Sequence, residues 1–321
     1  MIISRTPYRV GLVGGGTDLA EFANKEGGAV VNCAIDKYVY VMVTKNFHGV
    51  WKVSYSKTEY ANTVDEIVHP TVREVLRYLR ITEPLDILTA SDMPSGSGIG
   101  SSSSFTVGLL NALFTYKGHS MSKGVLAQLA CHVEIDMVKD VVGKQDQYAA
   151  AYGGFNYMEF NVDGTVTVQP VRYKHMQAMM DNLLMVYAGN TRQSGVVQSE
   201  VVSTISTKMP ELRRMKRAAE VAHSVFKMGC TPACINECIE EDWRIKKTLA
   251  GGISNPVVDA LIKHGLDNGA LGCKLMGAGG GGFLLFYCEQ DKQEQFVQAF
   301  PNNQVIRFGV DYDGSKIVYK E

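Results

Sequence analysis

Between residues 84 and 118 the chain reads PLDILTASDMP, then SGSGIGSSSS, then FTVGLLNALFTYKG. This order constrains the fold more than any other part of the sequence. Leu85, Ile87 and Leu88 lie in a short strand-like run that Pro94 stops. Phe105, Leu109, Leu110, Leu113 and Phe114 recur at helical spacing, with Gly118 placed to close the helix. A Gly/Ser tract can be a solvated spacer, but spacers run between polar neighbours, and this one joins two apolar segments. Strand, Gly/Ser loop and buried helix together make a loop able to hold an anion. Serines are good N-caps, the first-turn amides of a helix lack internal partners, and glycines let a backbone approach a ligand closely.

The rest of the chain bounds what that anion belongs to. With 321 residues and 45% hydrophobic content, two domains with a sizeable core are within reach. A net charge of −1 carries no basic excess, so nucleic acid is not an expected partner. No apolar run reaches about 18 residues, so no membrane span is expected. MIISRTPYRV lacks the apolar region of a signal peptide. The cysteines (Cys33, Cys131, Cys230, Cys234, Cys238, Cys273, Cys288) are odd in number and scattered, which fits reduced thiols and a cytoplasmic protein. Cys230, Cys234 and Cys238 sit four apart and fit one helix face, without the histidines of a zinc site.

Strands are expected at 2–13 and 29–43, the second rich in Val and Tyr, with a short helix at 18–26 between them. TVREVLRYLR reads as an amphipathic helix. A strand at 85–90, the Gly/Ser loop, a helix from about 104 and a helix over SKGVLAQLACHVEIDMVKD follow. In the last of these Glu134 borders the apolar stripe. YGGFNYMEFNVDGTVTVQPV reads as a hairpin turning at Asp163-Gly164. NLLMVYAG is a strand, 197–268 is mostly helical, CKLMGAGGGGFLLFYCE is strand, glycine loop, strand, and the end is short-stranded. Helices and strands mix without strict alternation, so the class is α+β. The expected units are 1–180 and 181–321.

Glycine-rich segments recur far apart: GLVGGGTDL at 11–19, the loop at 94–104, and GAGGGG at 277–282. The third contains G-x-G-x-x-G, but a strand follows it where a dinucleotide fingerprint must open a helix. No G-K-[ST] ends a glycine run, so a Walker A loop is absent. Four glycines in succession exceed the needs of a hairpin turn and suggest close backbone approach to a ligand.

TPYRVGLVGGGTDL, MPSGSGIGSSSS and KLMGAGGGGFLLF, in this order, resemble the three motifs of the GHMP kinase family. The resemblance covers most of the chain. It implies an N-terminal domain like ribosomal protein S5 domain 2 and a ferredoxin-like C-terminal domain, with ATP and substrate between them. RTPYRVGL, GGGTD and VVGKQDQYAAAYGG are most similar to the branch of D-glycero-D-manno-heptose 7-phosphate kinases. Galactokinase-like members have Glu-His-x-Asp where this chain has Gly15, Gly16, Thr17 and Asp18; only the aspartate is kept.

The resemblance implies a site. Pro94, Gly96, Ser97, Gly98, Ile99, Gly100, Ser101, Ser102 and Ser103 would hold the ATP phosphates. Gly15, Gly16, Thr17, Asp18, Gly279 and Gly280 would face the substrate. Asp146 matches the catalytic aspartate, although spacing alone reads it equally as a helix N-cap. Arg9 matches the cation paired with that aspartate; on its own it reads as an arginine at a strand end. A neighbouring cation favours a charged carboxylate. Ser102 and Glu134 match the Mg²⁺ side of the site, with a solvated helix carboxylate as the other reading of Glu134. A sugar that already carries a phosphate needs a second cation, for which Arg192 in NTRQSG and then Lys144 are the candidates. The implied activity is ATP-dependent phosphorylation of the anomeric hydroxyl of heptose 7-phosphate, for surface-glycan synthesis. The alternatives are a sugar-1-kinase acting on a fucose- or galactose-like sugar and a silent nucleotide sensor. The expected partner is a small-molecule sugar phosphate; a homodimer is left open.

Overall fold

The computed structural model describes residues 1–189, 194–301 and 305–321. In chain order the elements are β1 (Ile2–Val13), α1 (Ala20–Glu26), β2 (Gly28–Lys45), β3 (Trp51–Ser54), β4 (Thr58–Ala61), α2 (Pro70–Leu79), β5 (Leu85–Ser91), α3 (Ser101–Tyr116), α4 (Lys123–Cys131), α5 (Gln145–Tyr152), β6 (Phe155–Phe160) and β7 (Val166–Pro170). They continue with α6 (Met176–Asp181), β8 (Leu183–Tyr187), α7 (Ser194–Thr204), α8 (Met209–Met228), α9 (Pro232–Lys246), α10 (Pro256–Asp267), β9 (Gly272–Leu275), β10 (Phe283–Tyr287), α11 (Gln293–Ala299), β11 (Val305–Ile306) and β12 (Lys316–Lys320). This is the α+β class read from the sequence.

The larger sheet runs β12-β1-β2-β5-β3-β4, with β6 also paired to β2 and β7 paired to β6. β2 is its spine. Its first half pairs with β6 and its second half with β5, while β1 runs antiparallel along it from Ile2↔Val43 to Val13↔Val31. The burial of β2 follows its sequence. GAVVNCAI is buried throughout, as a strand covered on both faces must be, whereas Val39, Val41 and Val43 alternate with half-buried neighbours. One apolar cluster packs this sheet against α2, α3, α4 and α5. A second joins Val10, Leu12 and Val31 to Met185, Phe283 and Leu285 of the smaller sheet, β11-β8-β10-β9, and to Phe226 of α8. Burying a side chain of this size contributes about 1.5–3 kcal/mol.

Several expectations change. β3 and β4 were not foreseen. The chain end, grouped with the second unit by sequence, returns to the larger sheet, where β12 pairs with β1. α3 begins at Ser101 because Gly100, at φ 77°, turns the loop straight into the helix. α4 does not run on to residue 140; it gives way to a π-helical turn over His132–Met137. Among the described residues, no helix is long and apolar enough to cross a membrane, and no cluster of His, Cys, Asp or Glu, the cysteines of 230–238 included, suits a metal ion.

Candidate active site

The loop between β5 and α3 is shaped by alternation. Gly96, Gly98 and Gly100 have φ of 67°, 80° and 77°, a region glycine enters without penalty. The residues between them are anchors: Ser97 donates from Oγ to the Pro94 carbonyl at 2.6 Å, and Ile99 is fully buried. Backbone amides in such alternating conformations form a concavity suited to anions. No side chain caps the start of α3, so its first amides and helix dipole face the same place.

The loop forms one wall of a cleft of about 370 Å³ whose lining includes Arg9, Gly15, Gly16, Asp18, Gln145 and Asp146. Arg9, on β1, grips Asp146, in the first turn of α5, with both prongs: Nε to Oδ1 at 2.6 Å and Nη2 to Oδ2 at 2.7 Å. Its third nitrogen donates to the Gly98 carbonyl at 2.7 Å. One arginine therefore sets the distance between the anion loop and the carboxylate. Only 6% of Arg9 is exposed, so the guanidinium is shielded from water while Asp146 stays partly open to the cleft. Asp18 accepts bonds from the amides of Gly16 and Gln145 and from Gln145 Nε2. Burial, reinforced by Asp146, raises its pKa. Gly143 is required beside it, since a Cβ there would lie 2.0 Å from Asp18 Oδ2.

Glu134 is buried beneath Ser102 and Ser103. Oε1 accepts from Ser102 Oγ at 3.3 Å and Thr106 Oγ1 at 2.8 Å; Oε2 accepts from Ser103 Oγ at 2.7 Å and from Gln147 Nε2. Burial pushes its pKa up to about 6 against the pull of these donors. Glu134 sits on the π-helical turn over His132–Met137.

Other expected residues stand elsewhere. Thr17 is fully buried, and its hydroxyl bonds to the Gly14 and Ala29 carbonyls, so it builds the turn and does not line the cleft. Pro94, Ser97 and Ile99 shape the loop from behind. Gly279 and Gly280 do not line the cleft; they pack on Ile253, whose carbonyl accepts from the Gly280 amide at 3.0 Å. The glycines of 277–282 serve close approach to the other loop, and Gly277 also lines the cleft. A Cβ on Gly277 would lie 2.5 Å from Gly98 Cα, and one on Gly282 would lie 2.4 Å from the Ser97 carbonyl oxygen. Lys144 turns away and donates to the Gly164 carbonyl at 2.7 Å. Arg192 lies outside the described residues.

Residues 63–154 match the description GHMP kinases N terminal domain, and residues 230–306 match GHMP kinases C terminal. The two matches span more than half of the chain. The chain belongs to the GHMP kinase family. The kinase is similar to the D-glycero-alpha-D-manno-heptose 7-phosphate kinase of Campylobacter jejuni, with 28% identity over 94% of each chain. It is 26% identical to the L-fucokinase/L-fucose-1-P guanylyltransferase of Bacteroides fragilis, over 88% of this chain and 34% of that one. In fold it resembles the solved D-glycero-D-manno-heptose 1-phosphate kinase from Bacteriodes thetaiotaomicron, with a TM-score of 0.82 at 23% identity over 100% of both chains. It is an ATP-dependent phosphotransferase of the sugar-kinase kind.

The kinase's cleft also holds residues that sequence reasoning missed. Lys246 and Lys274 both line it. Lys274 Nζ donates to Asp242 Oδ2 at 2.6 Å and to the Leu12 carbonyl at 2.7 Å, and Asp242 Oδ1 accepts from the Gly14 amide at 2.6 Å. A lysine flanked by apolar residues in GCKLM was a readable signal, because a buried lysine needs a partner. Lys246 left none: EEDWRIKK reads as a solvated helix face. Gln145, next to Asp146 and bonded to Asp18, was hidden by its chemistry, which is neither charged nor nucleophilic.

Proposed function

We propose that this kinase phosphorylates the anomeric hydroxyl of D-glycero-D-manno-heptose 7-phosphate to give the 1,7-bisphosphate. The observation that carries the chemistry is the Arg9–Asp146 pair, set in the cleft wall and tied to the phosphate loop by the same guanidinium. Asp146 accepts the proton of the sugar hydroxyl as its oxygen bonds to the γ-phosphorus and the β–γ bridging bond breaks, releasing ADP. Arg9 holds the carboxylate in line. The loop amides of 96–103 neutralise the phosphates, and Asp18 takes sugar hydroxyls. Magnesium fits the donors here: Ser102 Oγ and Glu134 Oε1 are hard oxygens 3.3 Å apart, and no thiol or imidazole lines the cleft among the described residues. These two residues would hold it, and it would neutralise charge on the transferred group.

The choice of sugar rests on the 28% identity to the heptose 7-phosphate kinase along nearly the whole of both chains. The fucokinase relative favours a second reading, an unphosphorylated sugar. Turnover with ATP, Mg²⁺ and a panel of heptose 7-phosphate, heptose, fucose and galactose separates them. The proposal requires the highest kcat/KM for heptose 7-phosphate; a preference for a free sugar replaces it by the second reading. Asp146→Asn loses about a hundred- to ten-thousand-fold in kcat while still binding ATP. Retention of more than about a third of kcat removes Asp146 from the role of base.

A further inference from the structure

Lys246 ends α9 at the cleft wall and takes no part in the chemistry above. It is 8% exposed, and its Nζ donates to the carbonyls of Leu275, at 3.1 Å, and Gly277. An ammonium has three N–H bonds; these two carbonyls leave the third for the cleft. Asp242, one turn earlier on α9, is engaged by Lys274 and by the Gly14 amide. The other charges acting on Lys246 are cations, Lys274 on β9 and Arg9 on β1. Burial first, then Lys274 and Arg9, push its pKa down to about 7, with Asp242 pulling the other way. Gly277, whose carbonyl Lys246 holds, packs against Gly98 at the centre of the phosphate loop. Lys274 and Arg9 each have a carboxylate partner, whereas Lys246 is held by carbonyls, and a buried cation so placed is unfavourable until an anion joins it.

We propose that the Lys246 ammonium binds a phosphate oxygen in the occupied cleft, either of the phosphoryl group being transferred or of a phosphate carried by the sugar. This rests on the kinase reading and not on which sugar is used. The bound anion holds Lys246 charged, so the ligand enters together with a proton. Lys246 acts as a binding residue that adds a cation to the cleft beside the phosphate loop.

The test is calorimetry on the wild type and on Lys246→Met with ADP, a non-hydrolysable ATP analogue, heptose 7-phosphate and heptose. The expected result is a rise of about tenfold or more in Kd for one phosphate-bearing ligand against its partner lacking that phosphate. Loss confined to the ATP analogue against ADP assigns the transferred phosphoryl group; loss confined to heptose 7-phosphate against heptose assigns the sugar phosphate. The ATP arm stands even if heptose 7-phosphate proves not to be the substrate. A folded variant whose affinities all stay within about twofold, or fall equally in both members of each pair, overturns the proposal. Should Lys246→Met not fold, titrations of the wild type at pH 8 in buffers of different ionisation enthalpy decide. Phosphate oxygens have lost their protons by then, since their second pKa is about 6. Proton uptake supports the proposal, and binding without it overturns it.

Discussion

Glu134 gathers four side-chain donors in a place almost without water, and its charge is still unfavourable there. Its folded pKa of about 6 lies above the ordinary 4.5, so between those values the folded chain binds the proton more tightly than the unfolded chain does. The stability this contributes is complete below about pH 4.5 and is lost as pH rises through 6, a swing of about 2 kcal/mol for a shift of this size. Glu134→Gln is uncharged at every pH. Urea midpoints of the two proteins at pH 4.5 and pH 7.5 should show the variant losing less stability over that range, by about that amount. A parallel pair of curves refutes the buried-charge account. Because Glu134 also answers to Ser102, the variant should need more Mg²⁺ for half-maximal turnover. Sequence gave Asp146 and Arg9 their roles by resemblance, and the pair is intimate. It could not show that Glu134 is buried, since the residue borders the apolar stripe and the donors that hold it inside, Ser103, Thr106 and Gln147, come from other helices.

The two glycine loops, 94–104 and 277–282, are one object at the scale of elements. Gly98 at φ 80° and Gly277 at φ 67° face each other so closely that a Cβ on the first would lie 2.8 Å from the Met276 carbonyl oxygen. Strain for a side chain in the left-handed region is about 1–2 kcal/mol before any contact is counted. Gly98→Ala and Gly277→Ala should each lower stability by about 2 kcal/mol or more and weaken ATP binding. Both press on the same gap. The double variant should therefore lose less than the sum, with a coupling of about 0.5–3 kcal/mol in a denaturant cycle. Strict additivity means that the loops do not depend on each other. Glycine runs are plain in the sequence, as are the strands and helices around them, because periodicity and turn residues are local. What each loop touches is not local, and so Gly279 and Gly280 were assigned to substrate when they build on Ile253.

Across the whole molecule, Lys274 and Asp242 fasten the two sheets together. The pair is 3% and 0% exposed, and it holds the Leu12 carbonyl and the Gly14 amide beside the substrate turn. Removing one partner of a buried pair costs about 3–5 kcal/mol, whereas replacing both by apolar groups often costs little. Lys274→Met should thus be far less stable than Lys274→Met combined with Asp242→Leu, as read from urea midpoints; equal losses contradict a buried-charge penalty. The α+β class was legible from the order of periodic segments. β3 and β4 were not, being four residues each, and the pairing of β12 with β1 was not, because pairing across nearly the full chain leaves no local trace. That pairing has a consequence for synthesis. β1 is made long before its outer partner, which consists of residues 316–320. Until they emerge, β1 offers an unpaired edge, a template on which another nascent chain can add a strand. Completion of the nucleotide loop comes some two hundred residues earlier, so it is the arrival of residues 316–320 that closes the window for misassembly.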